Sequence, residues 1–106
     1  MQRVPASKWQ RVCALDDLVP GAGVCALVDG RQVAIFYLPG EDQPVRAIGN
    51  HDPVGGANVL YRGIVAEIGG ELTVASPLYK QHFSLLSGRC LERPELGVPV
   101  YGAALE

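Results

Sequence analysis

The side chains of this chain best suited to metal or redox chemistry are three cysteines and two histidines, namely Cys13, Cys25, Cys90, His51 and His82. Two thiolates and two imidazoles can hold an iron–sulfur cluster when short motifs bring them together. In this sequence no two cysteines form a C-x-x-C pair, and neither histidine stands beside a cysteine. The spacing therefore predicts histidines on the surface or in loops, and no metal-binding residues.

The cysteines also indicate the compartment. Their odd number, without a paired motif, favours free thiols in a reducing environment over a disulfide framework. Each lies among apolar neighbours in or beside a predicted strand, so we expect buried and inert thiols. The N-terminal residues 1–5 have no apolar core of signal-peptide length, and every apolar stretch is too short to span a bilayer. We therefore predict a cytoplasmic protein.

No other pattern indicates a catalytic or nucleotide-binding residue. Ser76 lacks the Gly-x-Ser-x-Gly elbow of a nucleophilic serine, and Gly55-Gly56 lacks the lysine and hydroxyl residue of a phosphate loop. We expect the Ser76 hydroxyl to bond to backbone amides, and Asp52, which precedes Pro53, to cap the amides of a turn. The formal net charge of −2 also lacks the positive excess that binding to nucleic acid requires.

Apolar periodicity predicts β-strands along nearly the whole chain. Asp29-Gly30 separates two apolar runs and predicts a hairpin, because this pair accepts positive φ angles. Gly69-Gly70 predicts a second hairpin, in whose first strand Ile64, Ala66 and Ile68 share one face. The predicted strands are residues 9–13, 24–28, 32–38, 45–49, 63–68, 71–75, 82–85 and 98–103.

The chain of 106 residues has the length of one domain, and its glycines and prolines separate many short strands. Strands that are short and regularly spaced favour an all-β sandwich of antiparallel strands. We predict a flexible N-terminal segment at residues 1–7 and a single domain at residues 8–106. One helical turn is expected within residues 14–19, and residues 100–106 resemble the start of a final hairpin that is truncated.

Two proline-bearing loops are the most informative part of this arrangement. They read Asn50-His51-Asp52-Pro53-Val54 and Val74-Ala75-Ser76-Pro77-Leu78-Tyr79. The order of strands, hairpins and loops resembles the Rieske domain from about Trp9 to Ala103. A Rieske protein has Cys-x-His in the first loop and Cys-x-x-His in the second, and these hold a [2Fe-2S] cluster. The resemblance implies a Rieske-like β-sandwich with both loops at the former cluster-binding tip, where the ligand positions carry Asp52, Val54, Ser76 and Tyr79.

The second loop carries the more specific resemblance. Its Ala-Ser-Pro-Leu string keeps the loop-shaping proline and abandons both ligands, and Lys80-Gln81-x-Phe83 follows it. In these segments the chain is similar to the small subunit of assimilatory NAD(P)H-dependent nitrite reductase. The resemblance implies a non-catalytic, cluster-free subunit without a cofactor of its own. Its implied partner is a large subunit that carries FAD, an iron–sulfur cluster and sirohaem and reduces nitrite to ammonium.

The tip of a Rieske protein is apolar and docks on a redox partner, so we expect the equivalent residues here to contact the large subunit. These residues are Pro53, Val54, Pro77, Leu78 and Tyr79. In a second interpretation, Leu78 and Tyr79 fill the space that a cluster would occupy. Two other functions also stay open: a Rieske-type ferredoxin of an oxygenase system, and a standalone β-sandwich binding module.

Overall fold

The computed structural model describes residues 2–3, 9–10 and 12–105, and the eleven strands in this part of the chain pair antiparallel with their neighbours. Two 3₁₀ helices, Leu15–Asp17 and Leu60–Arg62, lie between them, and the first is the predicted helical turn. The all-β prediction is therefore confirmed. The strands are β1 Gln2–Arg3, β2 Trp9–Gln10, β3 Gly23–Val28, β4 Arg31–Tyr37, β5 Val45–Gly49, β6 His51–Asp52, β7 Ala57–Asn58, β8 Ile64–Ile68, β9 Glu71–Ala75, β10 His82–Ser84 and β11 Val100–Tyr101.

The β3–β4 hairpin turns at Asp29-Gly30, as predicted. Asp29 and Gly30 have φ angles of 51° and 76°, and positive φ at both central residues matches the twist of the flanking strands. The hairpin belongs to a four-stranded sheet in the order β11-β5-β4-β3, in which β3 is an edge strand. Since β4 and β5 are its central strands, they carry most of the burial in this sheet.

Strand β4 is covered on both faces. Val33 and Ile35 belong to one cluster of buried residues, whereas Ala34 and Phe36 belong to the other. A strand that has protein on both sides needs no polar face, which explains why this stretch reads as a continuous apolar run. Strand β4 therefore divides the interior of the domain into two layers.

The second sheet has three strands in the order β10-β9-β8. Gly69 and Gly70 close the β8–β9 hairpin with φ angles of 59° and 85°, so the second predicted turn is also confirmed. Strand β8 is an edge strand, and its shared apolar face points outward: Ile64 is 69 % exposed and Ile68 is 43 % exposed. The opposite face packs on the core through Val65.

The main core lies between the two sheets. Phe36 of β4 and Phe83 of β10 are both fully buried, and Ile48, Leu60 and Val74 pack with them. Complete burial of an aliphatic or aromatic side chain contributes roughly 1.5–3 kcal/mol each. This core joins the strands that precede the two proline-bearing loops and thereby fixes where those loops lie.

The prediction that all three cysteines are buried is wrong for Cys25. Its side chain is exposed on the edge strand β3, with Sγ 3.2 Å from Gln32 Oε1 and 3.3 Å from Asn50 Nδ2. Alternation along the strand points its neighbours inward and this thiol outward. Cys13 is half-buried, Cys90 is buried, and all three thiols are free.

The ends of the chain match the predictions in part. The predicted flexible segment, residues 1–7, lies mostly outside the described residues, and the strand β1 within it pairs antiparallel with β2. The strand predicted at residues 98–103 is shorter and consists of β11, which pairs with β5.

Among the residues that the structure describes, no helix has the length and apolar character needed to cross a membrane.

Candidate functional site

The first proline-bearing loop closes a short hairpin that sequence analysis did not predict, formed by β6 and β7. We call residues 52–56 the first tip loop. Asp52 Oδ1 accepts hydrogen bonds from the amides of Val54 (2.8 Å) and Gly55 (3.1 Å), and the Gly56 amide donates to the Asp52 carbonyl (2.7 Å). The predicted capping role of Asp52 is therefore confirmed, since its carboxylate satisfies amides that the turn leaves without a strand partner.

The second proline-bearing loop connects β9 to β10, and we call residues 76–81 the second tip loop. The Ser76 amide donates to the Gln81 carbonyl (2.9 Å), and the Lys80 amide donates to the Ser76 carbonyl (3.0 Å). Ser76 Oγ accepts from the Leu78 amide (3.2 Å), which confirms that this hydroxyl bonds to the backbone. Lys80 has a φ angle of 67°, so the loop closes through a left-handed residue that is not glycine.

The two tip loops are joined by a hydrogen bond between their side chains, in which Ser76 Oγ donates to Asp52 Oδ2. Both residues have a relative exposure of 0 %. Sequence analysis treated each of them as a local turn former and missed this contact. The signal that could have indicated it is that each residue directly precedes the proline of its loop, at a position equivalent to a Rieske cysteine.

The residues at the four Rieske ligand positions do not fit a [2Fe-2S] cluster. Such a cluster is held by thiolates and imidazoles, whereas Val54 has no donor atom. The oxygens of Asp52 and Ser76 bond to each other and to backbone amides. The fourth side chain, Tyr79, is 64 % exposed. Of these four residues, Asp52 and Ser76 form a polar contact between the loops.

Three of the remaining metal-type donors have other partners. His51 Nδ1 lies 3.0 Å from Asn58 Oδ1 on the exposed side of the β6–β7 hairpin, and Cys25 contacts amide groups. His82 is paired with Glu92. Among the described residues, no three side chains of the types His, Cys, Asp and Glu converge in a way that could hold a metal ion.

The surface of the two tip loops is mostly apolar and exposed. Leu78 is 43 % exposed and lies against Gly55 of the first tip loop, where an added Cβ would come within 3.3 Å of the Leu78 Cβ. Val54 is half-buried, and Tyr79 points further into solvent than Leu78 does. The predicted interface residues lie on these two joined loops, and Pro53 and Pro77 are also exposed.

Asn50 anchors the first tip loop to the four-stranded sheet, and sequence analysis gave it no role. The residue is fully buried, and its Nδ2 donates to the Asn58 carbonyl (3.2 Å) while its Oδ1 accepts from the Tyr61 amide (2.8 Å). Its own amide donates to the Gln32 carbonyl of β4 (3.0 Å). A buried amide whose groups are satisfied on several segments holds those segments in one arrangement.

A histidine–glutamate pair supports the second tip loop where it enters β10. The His82 amide donates to Glu92 Oε1 (2.8 Å), and His82 Nδ1 lies 2.6 Å from Glu92 Oε2. Desolvation raises the pKa of Glu92, but the hydrogen bonds from the His82 amide and imidazole outweigh it, so the pKa lies below 4.5. The Glu92 side chain is 47 % exposed, so solvent screens this pair.

Comparison with known proteins places this geometry in a family. Residues 8–106 match the family of Rieske-like [2Fe-2S] domains. The small subunit of NADH nitrite reductase from Salmonella typhimurium is 52 % identical over 100 residues, which cover 94 % of this chain and 92 % of that protein. The large subunit of NAD(P)H nitrite reductase from Klebsiella oxytoca is 40 % identical over 103 residues, which cover 97 % of this chain and 10 % of that protein.

Solved structures agree with the sequence relatives. The crystal structure of a putative NADH-dependent nitrite reductase small subunit from Mycobacterium tuberculosis has a TM-score of 0.83 and 49 % identity, covering 90 % of this chain and 84 % of that one. The ferredoxin of carbazole 1,9a-dioxygenase from Nocardioides aromaticivorans has a TM-score of 0.74 and 27 % identity, covering 92 % of this chain and 88 % of that one. The predicted family is therefore confirmed: the chain belongs to the small subunits of nitrite reductase, which have a Rieske-like fold.

Proposed function

We propose that this chain is a non-catalytic, cluster-free subunit that binds and supports the large subunit of an NAD(P)H-dependent nitrite reductase, which converts nitrite to ammonium. In this proposal the large subunit carries FAD, an iron–sulfur cluster and sirohaem, as the family resemblance implies. The small subunit contributes binding free energy, which stabilises whichever state of the large subunit it binds. The three free thiols support a cytoplasmic location for the complex.

The single observation that carries this proposal is the match within the Klebsiella oxytoca large subunit. Nearly the whole of this chain aligns with a segment that makes up only a tenth of that protein. In one polypeptide a tether keeps the two parts at a high effective concentration, of the order of millimolar for a short flexible linker. A subunit on a separate chain has no tether and must supply its affinity through its own surface.

The apolar surface of the tip loops is the surface that we propose for this contact. Exposed apolar groups grouped with a tyrosine are typical of the centre of an interface. Tyr79 is 64 % exposed, which supports an interface role for it over the filling of internal space. Leu78 has both roles in this proposal, because it lies against Gly55 and still leaves 43 % of its surface exposed.

The cluster-free part of the proposal is supported by the donor chemistry at the four ligand positions. Asp52 and Ser76 satisfy each other, Val54 has no donor, and Tyr79 points toward solvent. Without a cluster, the subunit in this proposal has no electron-carrying cofactor of its own. We therefore propose that it does not carry electrons and contributes no catalytic residues.

Reconstitution with a separately purified large subunit tests the proposal. We expect the two proteins to elute together in size-exclusion chromatography, and NADH-dependent nitrite reduction to depend on the small subunit. Iron content and visible absorption of the small subunit alone form the second readout, and we expect neither iron nor colour. Failure to form a complex, with unchanged reductase activity, would refute the supporting role. A reddish, iron-bearing protein would instead favour the ferredoxin alternative.

A further inference from the structure

Two buried side chains join the tip loops at the positions where a Rieske protein has its two cysteines. In a Rieske cluster both cysteines bind the same iron, so that iron connects the two loops at these points. Asp52 and Ser76 occupy the equivalent positions and bond directly to each other. We propose that this hydrogen bond replaces the cluster as the connection between the tip loops and holds the docking surface in one arrangement.

Each partner of the bond also organises the loop that contains it. One oxygen of the Asp52 carboxylate accepts from two amides of the first tip loop, which leaves Oδ2 free to face the second loop. Ser76 Oγ accepts from the Leu78 amide while its proton goes to Asp52. A change at either residue therefore affects the shape of its own loop and the contact with the other.

The bond holds the apolar surface because that surface is carried by the residues next to it. Pro53 and Val54 follow Asp52, and Pro77 and Leu78 follow Ser76. Gly55 leaves space for Leu78 of the second loop, since an added Cβ at Gly55 would collide with the Leu78 side chain. Hydrogen bonds to a charged group are roughly twice as strong as neutral ones, and full burial protects this one from water.

The chain contains a matched control for Ser76. Ser84 is also fully buried; its Oγ accepts from the amides of Leu86 and Ser87 (both 3.1 Å), and its carbonyl accepts from the Gly88 amide (2.9 Å). Ser76 has the same local pattern, with the Lys80 amide on its carbonyl. The two serines differ in that the hydroxyl of Ser76 reaches the side chain of another loop.

Amide hydrogen exchange of the wild type, Ser76→Ala and Ser84→Ala tests the connection. The diagnostic amides are Gly56 and Lys80, because their acceptors are backbone carbonyls that neither substitution removes. We expect Ser76→Ala to accelerate exchange of both by about 10- to 100-fold, corresponding to about 1.4–2.8 kcal/mol for a hydrogen bond to a charged group. Ser84→Ala should leave both amides within about twofold of the wild type and affect only its own turn.

The response of Gly56 decides the question, because it lies in the loop that was not changed. Acceleration at Lys80 without acceleration at Gly56 would overturn the proposal. Asp52→Asn is the second variant should Ser76→Ala not fold. It keeps the size of the side chain and an acceptor for the local amides but weakens the bond to Ser76, so we expect a smaller acceleration at Lys80. Unchanged Lys80 exchange in this variant would also overturn the proposal.

The consequence for docking rests on the proposed function and is measured separately. We expect Ser76→Ala to bind the large subunit at least about tenfold more weakly than Ser84→Ala does. If the wild type itself does not bind, the proposed function fails while the exchange data still decide the connection between the loops. If the wild type and Ser76→Ala bind equally although Gly56 exchange is accelerated, the bond connects the loops but does not hold the docking surface, and that part of the proposal is refuted.

Discussion

Truncation of Tyr79 to alanine measures whether the tip carries the contact with the large subunit. Tyr79 is 64 % exposed, and a tyrosine buries about 200 Å² when it is fully covered. Covering the exposed part in a complex would remove about 130 Å² from water, which at about 25 cal/mol per Å² gives about 3 kcal/mol. Immobilising the side chain costs about 1 kcal/mol. We therefore expect Tyr79→Ala to lose about 2 kcal/mol, or about 30-fold in Kd.

Isothermal titration calorimetry with the purified large subunit measures this loss. Leu86→Ala is the matched control, because Leu86 is 65 % exposed and lines the same surface groove as Gly70 and Glu71, near the turn that closes the β8–β9 hairpin. Ala75, the residue before the second tip loop, is at the opposite end of β9. Both variants should unfold at the same urea concentration as the wild type, since exposed substitutions rarely change stability by more than about 0.5 kcal/mol.

Binding of Tyr79→Ala within about twofold of the wild type would refute a central position of Tyr79 in the interface, because a large side chain at the centre of an interface cannot be removed at no cost. The assignment of the contact to the tip loops is refuted if Leu86→Ala weakens binding as much as Tyr79→Ala does. In that case the loss of affinity would not be specific to the tip loops. A loss confined to Tyr79→Ala would assign the contact to the tip loops.

Three further outcomes follow from the structure. Glu92→Gln should lower the free energy of unfolding at neutral pH. Because the folded-state pKa of Glu92 lies below its ordinary value of 4.5, the loss relative to the wild type is full above that value and shrinks as the pH falls through the folded-state pKa. Urea unfolding across a pH series would measure this loss. Lys80→Gly should be about 1 kcal/mol more stable than Lys80→Ala, because the φ angle of 67° strains any residue with a Cβ; equal thermal midpoints would contradict this. Phe83→Ala should cost about 3–5 kcal/mol in the same unfolding assay, since Phe83 is fully buried, and a loss below about 1 kcal/mol would contradict its position in the core.

Sequence analysis succeeded where the deciding interactions are local. The turns at Asp29-Gly30 and Gly69-Gly70 were predictable because few residues accept positive φ, and both pairs adopt it. Runs of apolar residues also indicated the main strands: the strand predicted at residues 32–38 corresponds to β4, Arg31–Tyr37. The replacement of cysteine and histidine at the ligand positions could also be read directly, since it concerns residue types and not their arrangement.

Sequence analysis failed where the outcome depends on which strands lie at an edge. Ile64 and Ile68 share the apolar face of β8, as predicted, but the period of the strand does not tell whether that face is covered, and the structure leaves both residues exposed. Cys25 has apolar neighbours on both sides, yet its position on the edge strand β3 places the thiol in solvent. Alternation tells which residues share a face, but the packing of the sheets decides which face is covered.

The sequence by itself thus determined the strand periods, the turns and the donor types at the tip. Only the tertiary structure decided the long-range polar contacts. These are the contacts of Ser76 with Asp52, of Glu92 with His82, and of Asn50 with Gln32, Asn58 and Tyr61. The physical reason is that each of these side chains can also form satisfactory bonds within its own turn. Folding brings the partners together through burial of the apolar core, and burial then makes their hydrogen bonds necessary.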